Sequence, residues 1–398
     1  MNVPKLRFKE FNDEWGYQSL SKYVNRITTK NKNNESNLVL TISAQYGLVD
    51  QTNFFNRSVS SSNLTGYYLL NNGDFAYNKS YSNGYPWGAV KRLNKYNQGV
   101  VSSLYICFKP NNLINSDFLE QYFETNKWYQ QISEVSVEGA RNHGLLNIAV
   151  NDFFNTKHYM PSIKEQEKIS NFLSLLDKKI ELQTKKIEDL KLFKKGLDIK
   201  IFNNKKLFDV GIIKEYFESD GGTALEKYID EKGTYNIISI GNYTPDGRYY
   251  DNGQKVIYNE KTKMKLLSKN NLAMILNDKT TTGDIIGSTI LINEDNKYIY
   301  NQRTQKLICK NINAEYSWCF FNSKYFRDKV FRLSQGGTQI YVNYSQIENQ
   351  KIFIPKNKKI ENDIVKSIFL ITKLIDNEND KFLKLQKLKK GLMQNMFV

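Results

Sequence analysis

The amino-acid sequence predicts an α+β protein in which two similar strand-rich domains are separated by two long antiparallel helices in a pseudo-two-fold arrangement. Three observations predict this fold. A long amphipathic pattern occurs twice, each copy follows a proline, and the segments before the two copies repeat one order of short strands. The predicted boundaries are 1–160 for the first domain, 161–204 for the first helix, 205–354 for the second domain and 355–398 for the second helix.

The duplicated amphipathic pattern is the firmest of these observations. When Ile169 is aligned with Ile364, 195 positions later, the apolar residues that follow coincide without a gap at spacings of three and four. Such spacing is typical of a helix with one buried seam. Each pattern extends over about 35 residues, or roughly 50 Å of helix, and the interspersed Lys and Glu residues exclude a membrane span. Two seams of equal length pack most simply on each other.

The segments before the two helices predict a repeated domain. Short apolar runs rich in β-branched and aromatic residues, separated by turn residues, favour strands. Strands are predicted at residues 37–43, 72–77 and 99–108, with counterparts at 235–240, 271–275 and 305–309. A helix at 117–132 corresponds to one at 316–333, and a Gly-rich turn follows each. The two domains share this order but almost no residues, which indicates a two-fold internal repeat.

The composition indicates a folded, basic protein. Apolar residues make up 40% of the chain, and the formal net charge is +16. This excess of cations is spread evenly and favours a polyanionic partner, although a Lys-rich composition is also typical of AT-rich genomes. The three cysteines form no CxxC pair, and with two histidines there is no zinc spacing. The absence of a signal peptide and of an apolar span predicts a cytoplasmic, reduced protein.

The sequence also lacks the motifs of the enzymes that act on DNA. No two prolines are adjacent, so the Asn/Asp-Pro-Pro-aromatic motif of amino-methyltransferases is absent, and no Walker A sequence occurs. The GxSxG and HExxH motifs are missing as well. Pro245-Asp246 lacks the Glu-x-Lys partner of a nuclease. We therefore predict no catalytic residue, no metal site, and structural or surface roles for the histidines.

The start of the first long helix carries a family resemblance. Met160-Pro161-Ser-Ile-Lys-Glu-Gln166-Glu-Lys-Ile169 resembles the proline-(two or three residues)-Glu-Gln-x-x-Ile sequence of the specificity subunits (HsdS) of type I restriction-modification systems. The helix body around Asp177 and the Lys-Lys-Gly-Leu ending also match, and the resemblance covers the whole chain. The second copy departs from the motif, because Asn362 replaces the glutamine and one residue is inserted.

This resemblance implies a non-catalytic subunit that reads a bipartite target in double-stranded DNA, with one target-recognition domain for each half-site. It further implies docking of two copies of the methyltransferase subunit (HsdM) and two copies of the restriction and translocase subunit (HsdR). S-adenosylmethionine, ATP and Mg²⁺ would belong to those partners, and this chain would have no cofactor. Two alternatives stay open: a scaffold with two protein-binding domains, or a component of a related bipartite-site methyltransferase without restriction.

Polar loops between the predicted strands supply the candidate DNA contacts. Amide side chains can read adenine, and cationic side chains can contact guanine or phosphate. The candidates in the first domain are Ser43, Gln45, Tyr46, Lys79, Tyr81, Asn83, Tyr85, Trp87, Arg141, Asn142 and His143. The candidates in the second domain are Asn242, Tyr243, Asn277, Lys279, Thr280, Thr281, Thr282, Gln302, Arg303, Gln335, Thr338 and Gln339.

Overall fold

The computed structural model describes residues 2–55, 63–136 and 146–398. The chain divides into two compact units, Met1–Thr184 with Lys381–Val398, and Lys185–Asp380. Two long helices are present, at Ile163–Asn203 and Lys358–Met396, as predicted. The division falls inside both helices, so each unit contains a part of each. Among the described residues, no helix is long and apolar enough to cross a membrane.

The first unit contains ten strands among its described residues. The strands are β1 (Gly16–Ser19), β2 (Val24–Arg26), β3 (Leu40–Ser43), β4 (Gly47–Asp50), β5 (Tyr68–Asn71), β6 (Phe75–Asn78), β7 (Ala89–Arg92), β8 (Gln98–Val101), β9 (Ile106–Pro110) and β10 (Lys157–Met160). The helices are α1 (Gln51–Phe55), α2 (Ser116–Phe123), α3 (Tyr129–Val135), α4 (Val150–Asn155) and the first part of the long helix α5 (Ile163–Asn203). A four-stranded sheet with the order β2-β9-β6-β7 forms the centre, and strand β1 pairs with β10.

The second unit repeats this organisation. Its strands are β11 (Phe208–Ile212), β12 (Phe217–Gly221), β13 (Tyr235–Ile238), β14 (Lys255–Val256), β15 (Leu272–Ile275), β16 (Asn277–Asp278), β17 (Thr289–Leu291), β18 (Tyr298–Tyr300), β19 (Thr304–Cys309), β20 (Ile340–Tyr341) and β21 (Lys351–Pro355). Its helices are α6 (Ile213–Tyr216), α7 (Glu260–Lys263), α8 (Ala314–Phe321), α9 (Lys324–Leu333), α10 (Tyr344–Ile347) and the first part of α11 (Lys358–Met396). The four-stranded sheet has the equivalent order β12-β19-β15-β17, and β11 pairs with β21.

The helices predicted at 117–132 and 316–333 are wrong as single helices, because each is broken into two. In the first unit, α2 ends at Phe123, and the buried Trp128 indole donates to the Phe123 carbonyl oxygen (3.1 Å) across the break. In the second unit, Asn322 follows α8 and its amide donates to the Thr289 carbonyl oxygen (2.8 Å), while Ser323 caps α9. The Asn322 amide also donates to the Trp318 carbonyl oxygen (3.0 Å), so side chains at both breaks satisfy carbonyl oxygens near the end of the preceding helix.

Within the first unit, the start of α5 packs against the end of α11. Ile169 and Leu173 share one core with Met393, Met396 and Phe397. Further along α5, Asp177 forms an ion pair with Lys389, which precedes those residues on α11. Contacts that advance along one helix while receding along the other define an antiparallel pair.

The second unit contains the complementary halves of the same helices. Phe202, near the end of α5, shares a core with Ile364 and Ile368, near the start of α11. Earlier on α5, Lys186 pairs with the buried Glu378 at 3.1 Å, later on α11. The two helices are therefore antiparallel in this unit as well, and the buried Glu378 carboxylate pairs with a lysine whose side chain is 57% exposed.

The Glu-Gln pair of the helix-start motif joins α5 to the first domain. Arg7 Nε and Nη2 donate to the two carboxylate oxygens of Glu165, each at 2.8 Å, and Glu165 is 1% exposed. The Gln166 side chain accepts from the backbone N–H of Asn115 (2.8 Å) and donates to the Pro161 carbonyl oxygen (2.9 Å). Asn115 in turn caps α2. The motif thus fixes the helix to the domain that precedes it.

His158, on β10, is a structural residue. Its ring nitrogens lie 2.8 Å from the Tyr122 hydroxyl and 2.8 Å from the Thr156 hydroxyl. Burial lowers the pKa of the imidazole to about 3, so that the ring is neutral at physiological pH.

Candidate nucleic-acid interface

Three loops of the second unit meet on one surface. Strand β16, which opens the segment 277–283, pairs with β20, which closes the segment 335–341. Arg303, in the turn between β18 and β19, donates from Nη1 to the Asn277 side-chain oxygen at 3.4 Å. We call these segments, 277–283, 301–303 and 335–341, the second-unit loop surface. The structure therefore brings together candidate contacts that lie more than 60 positions apart in the sequence.

The Asp278 side chain stabilises the threonine-rich segment of this surface, residues 279–282, by hydrogen bonds to backbone N–H groups in the segment and just after it. This buried carboxylate accepts from the backbone N–H of Thr280 (2.9 Å) and of Ile285 (2.9 Å). The hydroxyls of Thr280 and Thr282 lie 2.8 Å apart, and Thr282 donates to Asp284 (2.9 Å). Lys279 and the three threonines are exposed. The loop thus presents a cation and hydroxyls from a fixed backbone.

Arg303 has an unusual backbone conformation that is held in place by hydrogen bonds. Its φ of 70° lies in the left-handed region that few residues other than glycine adopt. The strained turn is held because the Arg303 carbonyl oxygen accepts from Leu276 N (2.8 Å) and Asn301 accepts from Leu225 N (2.8 Å). The guanidinium is exposed, and the bond to Asn277 is long. This arrangement offers a guanidinium fork on a rigid turn, which suits bidentate recognition of guanine or phosphate.

The third segment carries exposed amide and hydroxyl groups at Gln335, Thr338 and Gln339. Two backbone hydrogen bonds between Gln335 and Tyr341, at 2.8 and 2.9 Å, close its base. At Gly336 φ is 117°, and an added Cβ would lie 2.0 Å from the Gln339 carbonyl oxygen. Glycine is therefore required for this turn.

Two candidates in this unit, Asn242 and Tyr243, are corrected by the structure. Asn242 is fully buried, accepts from Ser239 N (3.0 Å) and donates to the Tyr250 carbonyl oxygen (2.9 Å). The Tyr243 side chain is also buried, and its hydroxyl donates to Thr304 (3.1 Å). Both side chains stabilise the domain and have no surface with which to contact DNA. Asn277 is buried too, whereas Gln302 is exposed and donates to Glu226 (2.5 Å).

The first unit places part of its candidate set on the turn of the β3–β4 hairpin. Ser43 pairs with Gly47, whose φ is 79°, and the Ser43 hydroxyl accepts from the backbone N–H of Tyr46 (3.2 Å). Gln45 and Tyr46 project from this turn, and Tyr46 is 61% exposed. The turn therefore presents an amide and an aromatic ring.

The loop between β6 and β7 carries the other described candidates of the first unit. Tyr81 is 61% exposed, and Asn83 is exposed as well. Lys79 donates to the Ile148 carbonyl oxygen at 3.3 Å. Trp87 is partly buried against the domain core, and its carbonyl oxygen accepts from the Tyr77 hydroxyl at 2.8 Å. Arg141, Asn142 and His143 lie outside the described residues.

Tyr85 is half-buried and lines, with Gln45 and Tyr46, an open cleft of about 1340 Å³ beside α2 and the long helices. Carboxylates are frequent in its lining, and they pair with its cations: Arg92 with Asp117 (2.7 Å) and Glu120 (2.5 Å), Lys91 with Glu124 (2.5 Å), and Lys389 with Asp177. The net charge of the residues that line this cleft is therefore close to zero.

Sequence reasoning missed the residues that brace the loops. Arg327 donates to the backbone carbonyl oxygens of Asp284 (2.8 Å), Pro245 (3.0 Å) and Ile286 (2.8 Å), and burial lowers the pKa of its guanidinium to about 10. No local pattern identifies it. The role of Asp278 could have been predicted, because an aspartate in a loop often accepts a hydrogen bond from the backbone N–H two residues later, as in an Asx turn. Among the described residues, no group of three or more His, Cys, Asp or Glu could hold a metal ion.

Two units with the same sheet order, different polar loops and a part of both long helices define an internally repeated α+β protein. Residues 205–387 match the family model described as type I restriction modification DNA specificity domain. The chain is 26% identical over 326 residues to the specificity subunit of the type I restriction enzyme MjaVIII of Methanocaldococcus jannaschii, covering 74% of this chain and 73% of that one.

Solved structures show the same fold. The S subunit of a type I restriction-modification system from M. genitalium aligns with a TM-score of 0.56 at 16% identity, over 100% of this chain and 99% of that one. A structure that describes complex assembly and conformational transition of a type I system aligns with a TM-score of 0.61 at 12% identity, over 98% and 99%. The predicted resemblance to the specificity subunits of type I restriction-modification systems is therefore confirmed.

Proposed function

We propose that this subunit reads a bipartite DNA target, with one unit for each half-site. The observation that supports this is the repeat itself: the units share the sheet orders β2-β9-β6-β7 and β12-β19-β15-β17 but carry different loop side chains. An equivalent scaffold with different side chains suits two different half-sites, because sequence is read by side chains that reach base edges. In the second unit, the second-unit loop surface would contact the bases of its half-site, and Arg303 would make the main base contact.

We further propose that the long helices dock two methyltransferase subunits, with two restriction subunits joining the complex. Each helix exposes large apolar side chains that no described residue covers. On α5 these are Leu175, Leu182, Leu192 and Phe193, each at least 60% exposed. On α11 they are Leu370, Leu374, Leu383 and Leu388. Exposed apolar patches of this kind are typical of protein interfaces, and the catalytic cofactors would then belong to the partners.

The test is to map methylated adenines in a methylation-free host that expresses this chain with its cognate methyltransferase subunit. We expect methyladenine at a single split motif, with two short specific halves around a fixed unspecified gap. Unmethylated DNA, in cells where the two subunits are shown to form a complex, would favour the scaffold function instead. A scaffold would also bind its partners with little salt dependence, whereas DNA binding weakens steeply as salt rises.

Arg303→Lys should lower discrimination at one base pair of the second half-site by about 1–3 kcal/mol, because lysine keeps the charge but loses the planar fork. The measurement is binding to a set of duplexes that carry every single-base change. The slope of log K against log salt should stay unchanged, since the charge is retained. Equal loss at both half-sites would contradict the assignment of Arg303 to one of them.

A further inference from the structure

A small cavity in the first unit is lined by cations and hydroxyls. It has a volume of about 150 Å³ and lies beside the edge strand β2 and the turn between β8 and β9. Its polar lining residues are Arg26, Tyr68, Lys79, Ser103 and Tyr105, and no carboxylate lines it. A cavity of this size admits a group as large as a phosphate.

Two cations line this cavity, Arg26 and Lys79, and a third, Lys30, lies against the Tyr68 ring that also lines it. Among the described residues, Arg26, Lys30 and Lys79 form no ion pair. Lys30 Nζ lies 3.4 Å from the centroid of the Tyr68 ring, and Lys79 Nζ contacts only a backbone carbonyl oxygen, that of Ile148. The nearby carboxylate of Asp74 is buried and accepts from Asn71 N (2.8 Å). The cavity therefore has a positive potential.

Arg26 also lines a second, open groove. This groove has a volume of about 610 Å³ and is lined by Ser21, Asn25, Asn151 and Asn155, with Arg26 shared between groove and cavity. The three asparagines are exposed. Asp152, on the same helix as Asn151, lines neither the cavity nor the groove. Neutral donors on each side of an unpaired arginine are a common arrangement for contacting a sugar-phosphate backbone.

The second unit fills the corresponding position with its own carboxylate. In the first unit, Ile27 N donates to the Cys107 carbonyl oxygen (2.8 Å), so Ile27 lies opposite Cys107. In the second sheet, Asp220 on β12 lies opposite Lys306 on β19 at the equivalent register. Asp220 accepts from Lys265 Nζ at 3.0 and 2.9 Å and also from the Tyr300 hydroxyl. The charge of Lys265 is therefore neutralised by a carboxylate of the same unit. The first unit, with isoleucine at this position, leaves its cations free for an external anion.

We propose that the cavity and groove around Arg26 bind a backbone phosphate of the target DNA. The inference rests on the proposed function and adds a positioning contact that reads no base. The Arg26 guanidinium would donate two parallel hydrogen bonds to phosphate oxygens, with Lys79 and Lys30 supplying charge. Because Lys79 opens the β6–β7 loop, this contact would fix the orientation of that loop on the DNA.

The test measures binding of the target duplex to the full chain, in complex with its methyltransferase subunit, as a function of salt. Arg26→Gln should reduce the slope of log K against log salt by about 0.9 for the lost phosphate contact, and lower affinity equally for every sequence. Arg26→Lys should retain the slope. Lys9→Gln, an exposed cation of the same unit that lines neither the cavity nor the groove, is the charge-matched control and should leave the slope unchanged.

A second pair of variants tests the cavity without removing a cation. Ser103 is exposed, so Ser103→Glu and Ser103→Gln should both fold, and only the glutamate should weaken binding. If the wild-type complex binds its target with a steep salt dependence while Arg26→Gln and Ser103→Glu behave like it, the phosphate site is wrong and the proposed function stands. If the wild-type complex itself shows no site preference, the proposed function fails.

Discussion

Phe397→Ala is expected to destabilise the first unit by about 3–5 kcal/mol, the usual cost of truncating a buried phenylalanine. The Phe397 side chain is 1% exposed and packs against Phe118 (5.3 Å between ring centroids) and Tyr122 (6.0 Å). Hydrogen exchange should show faster exchange in α2 and the four-stranded sheet of the first unit, while protection in residues 205–354 stays unchanged.

The internal repeat supplies the matched variant. Phe202 occupies the equivalent position at the end of α5, is 1% exposed and packs against Phe208 (5.9 Å) and Phe320 (5.7 Å) of the second unit. Phe202→Ala should therefore loosen the second unit and spare the first. If either substitution lowered protection equally in both units, the division of the chain into two separately packed units would be wrong.

Arg7→Met is expected to destabilise the first unit by about 3 kcal/mol, because it leaves the buried Glu165 carboxylate without its partner. The two 2.8 Å bonds between these side chains connect residues 158 positions apart. The measurement is hydrogen exchange or chemical denaturation monitored in the first unit. Replacing both residues, as Arg7→Met with Glu165→Gln, should recover a large part of the loss, since no charge is then left buried and unpaired.

The second copy of the motif provides the control. Glu361 stands where the family sequence has its glutamate, but its partner Lys358 lies on the same helix and is 69% exposed. Glu361 is 14% exposed, but its lysine partner lies in solvent, so Glu361→Gln should change stability by less than about 1 kcal/mol. A loss as large as that of Arg7→Met would show that the packing of the helix start, and not the ion pair, determines stability there.

The sequence predicted those features that depend on periodicity. The long helices follow from apolar spacing over many turns, and the shared strand order follows from short apolar runs placed alike in both halves. The helix breaks at Glu124 and Asn322 could not be predicted, because they depend on tertiary structure: the burial of Trp128 in the core and the hydrogen bond from Asn322 to the Thr289 carbonyl oxygen. The same limit explains Asn242, which has the composition of a surface loop residue and is a buried cap.

The candidate interface was predictable in outline only. Lys279 and Arg303 lie between predicted strands, and Gln339 lies in the Gly-rich turn after the predicted helix at 316–333, so their exposure could be expected. That they share one surface depends on the pairing of β16 with β20, two residues each, which no sequence pattern indicates. The unpaired charge at the Arg26 cavity could not be anticipated, since it depends on which described residues of the folded unit line the cavity and on the absence of a carboxylate among them.

The placement of Met393, Met396 and Phe397 in the core of the first unit has a consequence for biosynthesis. The ribosome makes residues 2–184 early, but these three core residues emerge only after the whole second unit has been translated. At about 5–20 residues per second, that interval lasts roughly 10–40 s. During this time the first unit has an uncovered apolar seam at Ile169 and Leu173. The nascent chain is therefore expected to need a chaperone or an early-binding partner at that seam, while the contiguous second unit can fold earlier.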